Sequence, residues 1–237
     1  MVHLRALPGA PLFGGSLDQV IETAMADANA LAAGGCDGIV FENFGDRPFH
    51  KRVGPETVAA MTRVIAEVRP RLPFGVNVLR NDARAALAIA AATGAQFIRV
   101  NVHVGVMATD QGIIEGEAAE TLRLRTPHVL IFADYLVKHA TPIGEHSARD
   151  LRERGLADAV IISGSETGAP ADVQRLSATR AAIDAPILIG SGLTAENAVN
   201  YADADGAIVG TSLKHEGRVD PLRVQRVVRA FKALVVR

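Results

Sequence analysis

The chain has 237 residues, 49% hydrophobic and 4% aromatic, with 25 basic against 26 acidic side chains and a formal net charge of −1. Near-neutral charge gives nucleic acid or an anionic membrane no reason to bind, and few aromatics with no Trp argue against a stacking platform for single strands. No apolar run approaches the ~20 residues of a membrane span, no basic-then-apolar leader precedes Val2-His3-Leu4, and the lone Cys36 has no internal disulfide partner; a cytoplasmic chain without a transmembrane segment is expected.

Eight short apolar runs follow one another: Val2–Leu4, Gly38–Phe41, Phe74–Leu79, Phe97–Asn101, Val129–Asp134, Ala159–Ser163, Pro186–Gly190 and Gly206–Val209. Most are rich in β-branched residues and end in Gly, Asn, Asp or Ser, as buried parallel strands do. Segments of helical spacing alternate with them: Leu17–Ala33, Pro55–Val68, Asp82–Thr93, Glu115–Arg125, Glu145–Arg154, Ala171–Ile183, Thr194–Ala202 and Pro221–Val235. Pro55 opens its helix, and Val58, Met61, Ile65 and Val68 form one stripe. Eight β-then-α units of about 30 residues predict a (β/α)₈ TIM barrel, an α/β fold spanning residues 1–237 as a single domain. A doubly wound open sheet is the rival, and it usually needs fewer strands. Acidic residues in turns before strands, such as Asp158 and Asp205, read as turn chemistry, and Cys36 as a buried small hydrophobe.

In a barrel, the loops after the strands form the functional face. Strand 2 runs into Glu42-Asn43-Phe44-Gly45-Asp46, and strand 3 into Asn77-Val78-Leu79-Arg80-Asn81-Asp82. Asn77 sits in an apolar run, so its amide needs a specific partner, either a core network or a ligand. Arg80 reads as an anion clamp or a solvated side chain, and Asn81 or Asp82 as a helix cap. Period two puts Phe97, Arg99 and Asn101 on one face. Arg99 then needs an acidic partner, with Glu42 and Asp134 the candidates.

The longest loop, Val102 to Glu115, has the length of a lid, and its Asp110 and Glu115 are acid/base candidates or loop caps. Asp134 ends strand 5, four residues before Lys138-His139, and is read as the general base, with Glu42, Asp110 or Lys138 as the complementary group. A Schiff-base role for Lys138 would need an apolar pocket. Ser163 ends strand 6 beside Gly164-Ser165. Gly190-Ser191-Gly192 after strand 7 and Gly210-Thr211-Ser212 after strand 8 predict a phosphate cradle of backbone N–H groups, with Thr194 capping a helix behind it. The His residues lack metal spacing, so no cofactor is expected; the arrangement to test is Mg²⁺ on Asp134 or Glu42 with phosphate oxygens.

Several long stretches together resemble the BtpA/SgcQ family. They are His3-Leu4-x-x-Leu7-Pro8-Gly9, Glu42-Asn43-Phe44-Gly45-Asp46-x-Pro48-Phe49, Gly75-Val76-Asn77-Val78-Leu79-Arg80-Asn81-Asp82, Phe97-Ile98-Arg99-Val100-Asn101, Thr109-Asp110-Gln111-Gly112, Phe132-Ala133-Asp134 with Val137-Lys138-His139, and Gly190-Ser191-Gly192. The resemblance covers nearly the whole chain and implies a ribulose-phosphate-binding type of barrel. One branch of that family is named for photosystem I accumulation and another from a sugar-metabolism gene cluster.

Three readings follow. The first is an enzyme acting on a small phosphorylated sugar or phosphoribosyl compound by acid/base chemistry of isomerase, epimerase or lyase type. Phosphate would sit on Gly190–Gly192 and Gly210–Ser212, and Asn77, Arg80, Arg99, Asn101 and Ser163 would hold the substrate. The second is a non-catalytic factor in photosystem I biogenesis, and the third a nucleotide-handling hydrolase. A small phosphorylated ligand is the expected partner, and the barrel class points to a homo-oligomer.

Overall fold

A computed structural model describes residues 1–235. Its eight parallel strands are β1 (Val2–His3), β2 (Ile39–Glu42), β3 (Phe74–Asn77), β4 (Phe97–Val100), β5 (Leu130–Tyr135), β6 (Ala159–Ile162), β7 (Ile187–Ile189) and β8 (Gly206–Ala207), each paired with the next. The Met1 N–H donates to the Val209 carbonyl at 2.8 Å, which ties the first strand to the last. The fold is the (β/α)₈ barrel expected from the alternation. The α-helices are α1 (Leu17–Ala33), α2 (Pro55–Val68), α3 (Ala83–Thr93), α4 (Ala118–Leu124), α5 (Val173–Ala182) and α6 (Pro221–Val235). Ser16, Asp82 and Asp172 cap α1, α3 and α5 by accepting first-turn N–H groups. Of the expected α2 stripe, Met61, Ile65 and Val68 are buried and Val58 is half-buried, and Val64 joins the buried face. Among the described residues no helix is long and apolar enough to cross a membrane.

Three expected helices differ. Glu115 closes a β-hairpin (Val106–Thr109 and Gly112–Glu115) that pairs with Ala140–Ile143, so the long loop is a three-stranded antiparallel sheet and α4 starts only at Ala118. That pairing also takes up the chain before Gly144, and the helix expected over Glu145–Arg154 is shortened to 148–154, its last part the wide turn Asp150–Arg154. Thr194–Ala202 holds one 3₁₀ turn, Ala198–Tyr201. There the Asn197 side chain accepts from the Thr194 N–H at 2.8 Å and donates to the Gly192 carbonyl at 2.8 Å, bonds that compete with a helix.

The barrel interior has two layers. The lower one is apolar: Met1, Val40, Phe97, Phe132, Ile161, Leu188 and Ile208, with the rings of Phe97 and Phe132 stacked at 4.6 Å. Two residues further along each strand lies the upper layer: His3, Glu42, Asn77, Arg99, Asp134, Ser163, Gly190 and Gly210. Below the barrel the turn acids act as staples. Asp158 accepts from the Ile131 N–H at 2.7 Å and from Arg125 at 2.9 Å, and Asp205 accepts from the Ile187 N–H at 2.8 Å while pairing with Arg180.

Gly75 leaves room for the lower layer, since a Cβ there would lie 2.3 Å from the Phe97 ring, which Phe132 holds in place. Gly75→Ala is therefore expected to lower unfolding stability by about 1–3 kcal/mol in urea titrations, and Phe97→Leu in the same chain to recover part of it.

Candidate functional site

The upper layer is organised by one buried ion pair. Arg99 donates to both oxygens of Asp134, Nε to Oδ2 at 3.0 Å and Nη2 to Oδ1 at 2.9 Å, with the two side chains 2% and 0% exposed. Of the two expected partners, Asp134 is the one that pairs. Asn101 donates to Oδ2 at 2.9 Å and Ser163 to Oδ1 at 3.2 Å, so the carboxylate accepts four hydrogen bonds. Asn77 donates to the Arg99 carbonyl and to Asn101 Oδ1, both at 3.0 Å, while its own Oδ1 is buried without a partner. A carboxylate so occupied positions its neighbours. Asp134, expected from the sequence as a general base, has both oxygens engaged by Arg99, Asn101 and Ser163.

Above the ion pair lies a cavity of about 700 Å³ at the barrel mouth. Glu42, Arg80, Asn101, Asp110 and Lys138 line it, from four strand ends and the hairpin. Arg80 Nη2 donates to the Lys138 carbonyl at 2.6 Å. Asp110 reaches the cavity from the hairpin turn, where it accepts from the Gln111 side chain at 2.6 Å. Glu115 faces Arg52 and Asn81 on the far side of the hairpin. Burial lowers the Lys138 ammonium from its ordinary range, Arg99 and Arg80 push the same way, and Glu42 and Asp134 oppose them.

His3, at the end of β1, stands behind Glu42. Its ring stacks on Phe44 at 4.4 Å, and its Nε2 lies 3.6 Å from Glu42 Oε1. Lys214 Nζ donates to His3 Nδ1 at 3.0 Å, which leaves the ring proton on Nε2, toward Glu42. Burial first, then the Lys214 charge, lowers the His3 pKa to about 2. Nothing in the sequence could pair residues 3 and 214. Lys214 also lines a second cavity of about 660 Å³ with Arg5, Thr211 and Arg218; it meets the mouth cavity at Phe44 and Thr167.

The small residues after β7 and β8 have packing duties. A Cβ on Gly190 would lie 2.5 Å from Ser163 Oγ and 3.4 Å from Arg99 Nη2, and one on Gly210 would lie 2.9 Å from the His3 ring. Gly192, at φ +65, fits against the Ala169 carbonyl. Ser191 Oγ accepts from the Gly164 N–H at 2.6 Å and donates to the Ala169 carbonyl at 2.9 Å, and Ser212 Oγ donates to the Leu193 carbonyl at 2.5 Å. The helix expected behind Thr194 is absent, so no helix N-terminus faces an anion there. The backbone N–H groups of Ser191, Gly192, Gly210 and Thr211 make no hydrogen bond to the chain among the described residues.

Other polar residues at the mouth tie the loops together. Asn43 donates to Asp46 at 3.1 Å and accepts from the Leu79 N–H at 2.7 Å, while Asp46 accepts from the Leu7 N–H at 2.8 Å. Asn81 exchanges two bonds with the Val102 backbone at 2.9 and 2.8 Å. Among the described residues no three His, Cys, Asp or Glu side chains gather as metal ligands. Cys36 lies on an apolar cavity between α6 and the barrel floor, where burial raises its thiol pKa.

The family model described as the BtpA family matches residues 1–233. Photosystem I biogenesis protein BtpA of Synechocystis is 50% identical, covering 98% of this chain and 86% of that protein. A protein of Thermococcus kodakarensis is 49% identical over 93% of this chain and 87% of its own. Among solved structures, thiamine phosphate pyrophosphorylase of Pyrococcus furiosus superposes with a TM-score of 0.63 at 13% identity, covering 92% of this chain and 94% of that one. Phosphoribosylanthranilate isomerase of the same organism gives 0.54 at 16%, covering 88% and 95%. At these identities the two structures share the fold alone.

Two outcomes follow from the geometry. Asp134→Asn strands a buried guanidinium and is expected to cost about 3–5 kcal/mol in denaturant unfolding, with less than additive loss in the Arg99→Met/Asp134→Leu pair. His3 binds its proton in the unfolded chain near pH 6.5 and in the folded chain only near pH 2. Stability therefore falls as pH drops below about 6.5, by up to roughly 1.4 kcal/mol per pH unit from this group, and His3→Gln should flatten that slope in urea titrations at several pH values.

Proposed function

The chain belongs to the BtpA family, and from that premise we propose that it is an enzyme acting on a small phosphorylated sugar or phosphoribosyl compound by acid/base chemistry. One observation carries the reading: Glu42 and Lys138 line the same mouth cavity with no partner among the described residues other than His3 behind Glu42. Buried ionisable groups of opposite sign on one cavity are costly for a docking surface and useful to a proton-transfer site. Glu42 is the general base in this reading, held by the His3 Nε2–H, and Lys138 is the complementary group. Asp134 positions Arg99 and Asn101 rather than moving a proton.

The phosphate is assigned to the amide groups of Ser191, Gly192, Gly210 and Thr211, which have no acceptor of their own. Arg80 holds a second anion or a hydroxyl, and the orphan Asn77 Oδ1 can accept one hydrogen bond. The two solved structures named above are of enzymes whose names specify phosphorylated compounds, in keeping with this assignment. A second reading, a non-catalytic factor in photosystem I biogenesis, is favoured by the name of the Synechocystis relative.

A phosphosugar library screened by thermal shift and turnover separates the two. The enzyme reading expects at least one stabilising, converted compound; a nucleotide converted instead would favour the hydrolase, and no stabilisation by any compound would sink the assignment. Glu42→Gln is expected to lower kcat by about 10²–10⁴-fold while leaving phosphate-dependent stabilisation in place. Thr211→Glu should abolish that stabilisation, since it brings a carboxylate to the anion site.

A further inference from the structure

The chain has four lysines, Lys51, Lys138, Lys214 and Lys232. Lys232 pairs with Asp37 at 2.6 Å, Lys214 donates to His3, and Lys51 is exposed. Lys138 is half-buried on the wall of the mouth cavity, and among the described residues its Nζ has no hydrogen-bond or ion-pair partner. Its backbone, by contrast, is anchored. Arg80 donates to its carbonyl at 2.6 Å, and Val137 is buried with Val102, Met107 and Ile114 of the hairpin region. Leu136 (φ 56) and His139 (φ 55) bracket it in left-handed conformations, which non-glycine residues keep only where their surroundings impose them. The fold thus fixes the root of this side chain and leaves its amine free in the cavity that also holds Glu42.

We propose that Lys138 is a nucleophile that forms a Schiff base with the carbonyl carbon of a small phosphorylated aldehyde or ketone. The proposal deepens the phosphosugar reading and rests on it. Glu42 takes a proton from the Lys138 ammonium. The freed amine adds to the carbonyl carbon, the π pair moves to oxygen, and a proton passes from nitrogen to that oxygen. Glu42 then returns its proton to the hydroxyl, which leaves as water while the nitrogen lone pair forms C=N⁺. In sum an ammonium and a carbonyl give an iminium and one water, with no oxidant or reductant. Burial in a site shared with Arg99 and Arg80 favours the free amine, as the step requires.

The test is reductive trapping of the full chain with glyceraldehyde 3-phosphate and sodium cyanoborohydride, read by peptide mapping. The expected result is a saturable adduct on Lys138 that inorganic phosphate competes away and that Lys138→Arg loses with an unchanged melting temperature. Labelling of Lys51 and Lys232 as fast as Lys138 in the unaltered chain would overturn the proposal, whether or not the variant folds. Two further outcomes part the proposal from the reading beneath it. Equal, phosphate-insensitive trapping of unphosphorylated glyceraldehyde on Lys138 keeps the nucleophile and removes the phosphosugar. Stabilisation by phosphosugars with Lys138 unlabelled removes the nucleophile and keeps the phosphosugar.

Discussion

Arg99 and Asp134 face each other inside a closed barrel, at a level where bulk water does not reach either charge. Removing two charges from water is costly, and their attraction offsets that cost only when the remaining donors and acceptors are satisfied. Asn101 and Ser163 complete the shell around the carboxylate, and Asn77 holds Asn101. The interior of the barrel follows from this requirement. Below it, seven side chains pack as an ordinary apolar floor. Above it, polar groups from several strand ends converge because each strand contributes the residue two positions on.

The glycines of the later strands belong to the same arrangement. Ile161 and the hydroxyl of Ser163 fill the space a Cβ of Gly190 would need, and His3 fills that of Gly210. A run of small residues after a strand can thus serve two masters: it makes way for a bulky polar neighbour inside the barrel, and it leaves backbone N–H groups at the rim without acceptors. The His3 ring then links the two cavities, taking a hydrogen bond from Lys214 on one side and turning its Nε2–H to Glu42 on the other.

Division of labour among carboxylates follows burial and partners more than position. Asp134 sits at a strand end, where barrel enzymes keep their catalytic groups, yet its oxygens are spoken for. Glu42 ends β2, with β3 and β4 between it and the strand of Asp134, makes one weak contact at 3.6 Å and opens onto the mouth. Asp158 and Asp205 sit at the other end and staple strand entries. Two residues of the resemblance-bearing stretch that begins at Glu42 are scaffold: Asn43 and Asp46 bind backbone from the loops of β3 and β1. This chain thus joins a barrel scaffold to a mouth lined by Glu42, Arg80, Asp110 and Lys138.

The eight strand runs, the amphipathic stripes and the period-two face carrying Phe97, Arg99 and Asn101 were legible in the sequence, because hydrophobic periodicity and strand pleat are local properties. So was the rim on which the site lies, since strand ends point to one face of a parallel barrel. The hairpin over residues 106–115, read from the sequence as a long loop, was not, because the strand that completes its sheet, Ala140–Ile143, is remote in the chain. The 3₁₀ turn in place of a helix after Thr194 depended on where the Asn197 side chain found its partners. Residue types by themselves marked Glu42, Asp110, Asp134 and Lys138 as able to hold or move a proton. Which of them is consumed by an ion pair, and that His3 and Lys214 stand behind Glu42, only the closed barrel decided, because hydrogen-bond partners are set by distances between strands and loops that no spacing along the chain records.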